Sequence, residues 1–228
     1  MTGELLKQER KRYGWSQPEA ARRLGLSQSY VAMLEKGSRR LTAKLSKRMV
    51  GVFGLSATVV PPLRVAPYAG NVENAVATDL AALGYPGFAY LRPRHWDPKN
   101  PAEVLLGVLA QSELDARLVE ALPWLVFRYA PFDDEWLVRE AKVRDLQNRL
   151  GFVVTLARGV AQRAHDAEKV AVLENLEERL QRSKLAREDT FFKTLPDVRR
   201  KWFAENRPQE ARDWNLLTDW NVSALRYA

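Results

Sequence analysis

Two helix starts and two helix stops fall inside residues 15–37, WSQPEAARRLGLSQSYVAMLEKG. Ser16 stands two residues before Pro18 and three before Glu19, a capping box that opens a helix over Gln17–Leu24. Gly25 suits the left-handed turn that closes it. Leu26 is the apolar turn residue, Ser27 caps a second helix over Gln28–Lys36, and Gly37 ends that one. Ala20, Ala21 and Leu24 face inward on the first helix, and small Ala21 lets the second helix cross closely. Val31 and Leu34 point back from the second helix toward Leu24. Gln28, Ser29, Ala32, Met33 and Lys36 are left on its solvent face.

The charge of the 228-residue chain is as uneven as its patterning. Residues 1–60 hold twelve Lys and Arg against four Glu, and so carry the whole net charge of +8. Residues 61–228 balance at 24 basic and 24 acidic side chains. A basic unit joined to a neutral one implies a polyanion partner for the first. With 46% hydrophobic and 28% charged residues the chain has the composition of a globular protein. The absence of cysteine excludes disulfide scaffolds, zinc ribbons, thiol catalysis and iron–sulfur clusters. No apolar run approaches the ~20 residues that span a bilayer, and the charged N-terminus is followed by no apolar core of a signal peptide. No membrane association is expected, and the location expected is cytoplasmic, on the nucleoid.

Two short helices at a glycine turn form a helix-turn-helix unit, and the residues around it resemble the phage-repressor/Cro (Xre-type) family. The resemblance rests on Ser16-Gln17, Ala20-Ala21, Leu24-Gly25-Leu26-Ser27, Val31 and Leu34-Glu35-Lys36-Gly37. Leu5 to Trp15 resembles the family's first helix and Leu45 to Leu55 its fourth, so the likeness covers about residues 3–56. It implies a lambda-repressor-like domain of four to five helices that binds operator sequences in double-stranded DNA. Pro61-Pro62 cuts short the region of a fifth helix. Gln28, Ser29 and Met33 fall at base-reading positions beside Ala32 and Lys36, with Met33 restricted to apolar contact such as a thymine methyl. Gln17, at a helix start, suits a phosphate. Tyr30 faces either sugar-phosphate or a base, and Ser38, Arg39, Arg40 and Lys44 are placed to meet phosphates.

The remainder reads as mainly helical, giving a mostly α fold of two parts. Three prolines within Val59–Pro67 forbid a helix there. The expected division is a DNA-binding domain at 1–58, a linker at 59–67 that is extended or docks as an edge strand, and a domain at 68–228 for dimerisation and for a partner or effector. Asn71 caps a helix to Leu83 closed by Gly84. Residues 85–99 are irregular, and Asn100-Pro101 opens another helix. Ser112 and Asp115 open the next, which Pro123 breaks or kinks. Asp133 caps a long helix to Leu150, a buried helix follows from Phe152 to Arg163, and Asp166 opens one to Arg187.

Groups for catalysis are scarce. His95 and His165 are the only histidines and read as a surface or packing residue and a helix-end residue. Asp133-Asp134-Glu135 sits where a helix begins, so its acids read as cap and first turn rather than a metal cluster. Arg199-Arg200-Lys201 reads as a solvated face or a supplementary DNA contact. No catalytic residue, metal site or cofactor is expected, and no enzyme. Six of the seven Trp lie beyond residue 68; Trp202, Trp214 and Trp220 in the polar tail are the candidates for a partner surface. A single domain of this kind reads few base pairs, which implies a homodimer on two half-sites. The expected function is an autoregulating repressor. The alternatives are an antitoxin whose second domain neutralises a protein toxin, and a small-molecule sensor.

Overall fold

A computed structural model describes residues 3–63, 65, 68, 70–94, 99–111, 113 and 115–225. His95, Ser112, Tyr227 and, within the linker, Arg64, Ala66 and Pro67 lie outside the described residues. The chain divides into two compact units, residues 1–63 with 95–100, and residues 64–94 with 101–228. Among the described residues there are twelve α-helices, three 3-10 segments and no strand, beyond one isolated bridge between Asp189 and Leu216. The fold is mostly α, as the sequence implies, and none of the described linker residues pairs as an edge strand.

The first unit contains α1 (Gly3–Arg12), α2 (Gln17–Leu24), α3 (Gln28–Glu35) and α4 (Ala43–Phe53), followed by a 3-10 turn at Ala57–Val59 in place of a fifth helix. Ser16, Ser27 and Thr42 cap α2, α3 and α4, each accepting the amide three residues on at 3.2–3.3 Å. Only half of the expected capping box forms, because Glu19 turns its two oxygens to Arg22 and Arg23. Gly25 adopts φ 60°, the conformation that spares a side chain's steric cost at the sharp exit from α2. Leu6, Ala21, Leu24, Val31, Leu34, Leu45, Met49 and Phe53 form the core. Buried Asn100 donates its amide to the carbonyls of Thr58 and Val60, at 3.2 and 2.6 Å, tying the 3-10 turn down.

The second unit is built on α9 (Gln147–Arg163), flanked by α7 (Ala116–Tyr129) and α10 (Ala167–Gln181). α5 (Val72–Ala82), α6 (Pro101–Leu109) and α8 (Asp134–Val143) complete its main body. Three expectations are corrected here. Of the break or kink expected at Pro123, the break does not occur: the residue withholds an N–H from α7, but Leu118, Val119, Leu122, Leu125 and Val126 around it are buried and the helix runs through it. The single helix expected from Asp133 to Leu150 is two. Val143 faces solvent, Asp145 takes a left-handed φ of 55°, and α9 begins only at Gln147. The helix expected to reach Arg187 stops at Gln181, because Asn148 of α9 captures the amide and carbonyl of Leu185 and the carbonyl of Arg187.

A second polar clasp lies beside the first. Arg149 binds both oxygens of Asp189 at 3.0–3.1 Å and donates to the carbonyls of Leu109 and Gln111. It thereby joins the end of α6, α9 and the bridged segment at 189. α11 (Asp197–Asn206) and α12 (Gln209–Asp213) follow. Trp214, read from sequence as a partner contact, is instead fully buried. Its indole lies against Gly151, where an added Cβ would come within 2.2 Å of the ring, and its Nε1 donates to Thr155 Oγ1 at 2.8 Å. Trp214 is therefore a core anchor of the tail. Replacing it with Ala removes a large buried ring and leaves a cavity, an expected loss of about 3–5 kcal/mol. Urea unfolding followed by far-ultraviolet circular dichroism measures this, and a loss below about 1 kcal/mol would contradict the burial.

Candidate nucleic-acid interface

α3 is placed by buried residues on one side and held by one acid on the other. Val31 and Leu34 are buried, whereas Gln28, Ser29, Met33 and Lys36 are exposed, Met33 at 41%. Ala32 is half-buried between them. The 3.6-residue period therefore leaves a largely polar strip along α3 with one methionine in it. Ser29 Oγ lies 3.1 Å from the capping hydroxyl of Ser27, which fixes it at the first turn. Tyr30 stands apart: it packs half-buried against the core and lines a cavity of about 220 Å³ with Leu26, Thr42, Lys44, Leu45 and Arg48.

Glu35, at the last turn of α3, fixes the helix to the rest of the unit. Its Oε1 and Oε2 receive the Arg10 guanidinium at 2.6 and 3.0 Å, and Oε2 also accepts from Gln17 Nε2 at 3.0 Å. Arg10 donates in addition to the Trp15 carbonyl at 2.9 Å. One carboxylate thus links α1, the turn before α2, the start of α2 and the end of α3. The pair is partly buried, with side-chain exposures of 13% for Arg10 and 5% for Glu35. Burial pushes the Glu35 carboxyl up, but the bonds from Arg10 and Gln17 and the charges of Arg10 and Lys7 outweigh it and hold the group below the usual carboxylate range. The hydrogen bond to Glu35 likewise raises the Arg10 guanidinium above its ordinary value against the cost of burial. Gln17, expected at a phosphate, uses one of its two amide protons here.

Beyond α3 the chain folds back on the helix end. Gly37 is left-handed, and the Met33 carbonyl accepts Ser38 N at 3.0 Å, Ser38 Oγ at 3.0 Å and Arg39 N at 3.3 Å. The single Ser38 hydroxyl proton is therefore used within the protein, and the residue positions the exposed Arg39-Arg40 turn. Lys44 lies in the first turn of α4, a helix with no acid there. A cation at that positive end is disfavoured by the helix dipole unless an anion is brought to it.

Ion pairing sorts the basic residues of this unit. All four of its glutamates sit with bases of α1 and α2: Glu4 with Lys7, Glu9 with Arg12, Glu19 with Arg22 and Arg23, and Glu35 with Arg10. Among the described residues Lys36, Arg39, Arg40 and Lys44 have no such partner. Lys11 on α1 and Arg48 on α4, which donates to the Leu24 carbonyl, also lack an acid among the described residues, so most of the uncompensated positive charge, though not all, gathers at the end of α3 and along α4.

Residues 6–60 match the helix-turn-helix family. The match covers about a quarter of the chain and supports an Xre-type helix-turn-helix DNA-binding domain over those residues. No curated protein and no solved structure matches the chain. The helix-turn-helix domain brings Gln28, Ser29, Ala32, Met33 and Lys36 together on α3, with Ser38, Arg39 and Arg40 just beyond. Tyr30 and Lys44 lie in the cleft toward α4, and Gln17 beside Glu35. In the second unit Trp202 is exposed and Trp220 half-buried.

Sequence reasoning counted Arg10 as charge and missed its pairing with Glu35 across 25 residues. The available signal was Glu35 itself, the one acid between Ala20 and Val60 in a strongly basic stretch. Glu35→Gln should destabilise the domain by about 1–3 kcal/mol at neutral pH, because it leaves the partly buried Arg10 charge without its acid. The sign follows from the lowered carboxyl: its contribution is complete above the unfolded value of about 4.3 and is lost as pH falls through the lower folded value. Urea unfolding of both proteins should give a constant difference above about pH 5 that shrinks in acid. A difference independent of pH would contradict the ion pair.

Proposed function

We propose that the chain is a sequence-specific repressor that binds an operator in duplex DNA as a homodimer and controls its own promoter. The observation that carries this is the coincidence of the polar strip on α3 with the uncompensated positive charge at its end. In this reading α3 enters the major groove, where Gln28 and Ser29 reach base edges and Met33 meets a thymine methyl beside Ala32. Lys36, Arg39, Arg40 and Lys44 neutralise phosphates along the groove. The remaining amide proton of Gln17 reaches a phosphate, Tyr30 borders the backbone, and Ser38 holds the arginine turn. Residues 1–58 read DNA, and residues 68–228 pair two copies so that two half-sites are engaged.

An antitoxin role for residues 68–228 would need an exposed apolar face for the toxin. Val198 and Trp202 offer one, at 83% and 49% exposure. Copurification with the product of the neighbouring gene tests that second reading.

Fluorescence anisotropy against the DNA upstream of its own coding sequence and against a scrambled duplex tests the main one. A preference of ~1,000-fold or more is expected for a specific regulator. Gln28→Ala should reduce that preference by ~1–3 kcal/mol, the worth of a lost base contact. Equal, salt-sensitive binding to both duplexes would contradict a specific repressor, and an equal loss on both would remove Gln28 from the bases.

A further inference from the structure

α11 is the least supported helix of the second unit. Of its ten residues only Phe203 is buried; the other nine are exposed. Phe203 stacks on Phe192 at 6.1 Å, and Arg199 lies over both rings. Arg200 and Arg207 reach Glu188 at 3.6 and 3.5 Å. These contacts fasten the inner side of the helix, and on the outer side Trp202 stays exposed with its ring edge-on to Phe203 at 5.5 Å. That side carries Val198 and Trp202, four residues apart and so one above the other, with Lys201 beside them. A valine and a tryptophan stacked in water next to a cation form a binding face rather than scattered surface apolar residues.

A surface of opposite character lies elsewhere on the same unit. Between α9 and α10 runs an open groove of about 530 Å³ lined by Arg158, Glu174, Glu177, Glu178, Gln181 and Arg182. Arg158 engages Glu177 at 2.8 Å and Glu174 at 3.7 Å. Glu178 is exposed, and among the described residues neither it nor Lys201 has an ion-pair partner. The groove thus offers acid to a basic helix and a guanidinium face, at Arg182, to an indole.

We propose that α11 of one copy docks in the α9–α10 groove of a second copy, and reciprocally, with Trp202 entering the groove and Lys201 meeting Glu178. The proposal rests on the reading of the chain as a dimeric regulator and names the surface that makes the dimer. Each copy carries both the helix and the groove, so two contacts close under a two-fold axis without leaving an open end. The two half-sites of an operator ask for the same symmetry. A second copy is favoured over DNA as the occupant because Asp197 and Glu205 flank the basic run on the same helix, and Arg200 already faces Glu188.

Sedimentation equilibrium of the full chain tests the contact through single charge reversals at exposed positions. Wild type should have the mass of two copies. Lys201→Glu and Glu178→Lys should each weaken self-association at least 10-fold, because each places like charges at both contacts. An equimolar mixture of the two variants should recover the dimer. One contact then keeps the wild-type charges and the other carries them exchanged. Trp202→Ala should also weaken the dimer while far-ultraviolet circular dichroism stays unchanged. A monomeric wild type, a dimer indifferent to the single reversals, or a mixture that stays monomeric would each overturn the proposal. Operator preference measured on the same preparations separates the two readings: a monomer that still prefers its operator ends the contact and leaves the DNA-binding assignment standing. A monomer whose DNA salt dependence flattens on Lys201→Glu assigns α11 to DNA, and one that takes up the neighbouring gene's product assigns it to that protein; both overturn the second-copy contact.

Discussion

The carboxylate of Glu35 sets where α3 lies. Apolar packing of Val31 and Leu34 gives that helix an inner side, but packing alone tolerates small rotations and slides. Two guanidinium bonds from Arg10 and one amide bond from Gln17 converge on the last turn and remove that freedom. Bidentate geometry makes Arg suited to the task, because its planar fork fixes direction as well as distance. Whether such a pair adds net stability over an apolar substitute is secondary. What it fixes is the direction in which the exposed strip from Gln28 to Lys36 faces.

The same pairing has an electrostatic effect. Every glutamate of the first unit is placed with α1 and α2 bases, which leaves Lys11, among the described residues, as the base of those two helices without an acid. The turn after α3 keeps its full positive charge at Lys36, Arg39 and Arg40, and Met33's carbonyl and Ser38 hold that turn in place. Charge and shape thus converge on one edge of the domain. The second unit uses related devices for a different end: Asn148, Arg149 and Trp214 fasten the segment after α10 to the central helix.

The helix pair was legible in sequence because its signals are local. Ser16, Gly25 and Ser27 act within four residues of where they stand, and α2 runs over the residues those signals mark. Asn71, Asp115, Asp133 and Asp166 succeeded as helix starts for the same reason. Helix ends in the second unit were less legible. Nothing in the residues around Gln181 announces that Asn148, more than thirty positions earlier, will take the hydrogen bonds of Leu185. Pro123 does not interrupt its helix, since a buried helix can tolerate one lost bond. Trp214 and Trp202 are alike as letters in a polar tail, and only the fold sends one to the core and the other to the surface. Within the candidate interface the exposed face of α3 followed from periodicity. The division of its arginines into paired and unpaired sets required the fold.

That division is measured most directly by the salt dependence of DNA binding. Wild type, Arg22→Ala with Arg23→Ala, and Arg39→Ala with Arg40→Ala should be titrated with one duplex at several salt concentrations. Phosphate-contacting cations each steepen the dependence by about one unit. The slope should stay at the wild-type value for the Arg22 and Arg23 pair and become shallower by up to ~2 for Arg39 and Arg40. An unchanged slope for Arg39 and Arg40, or an equal flattening in both variants, would contradict the placement of the DNA-binding charge at the end of α3.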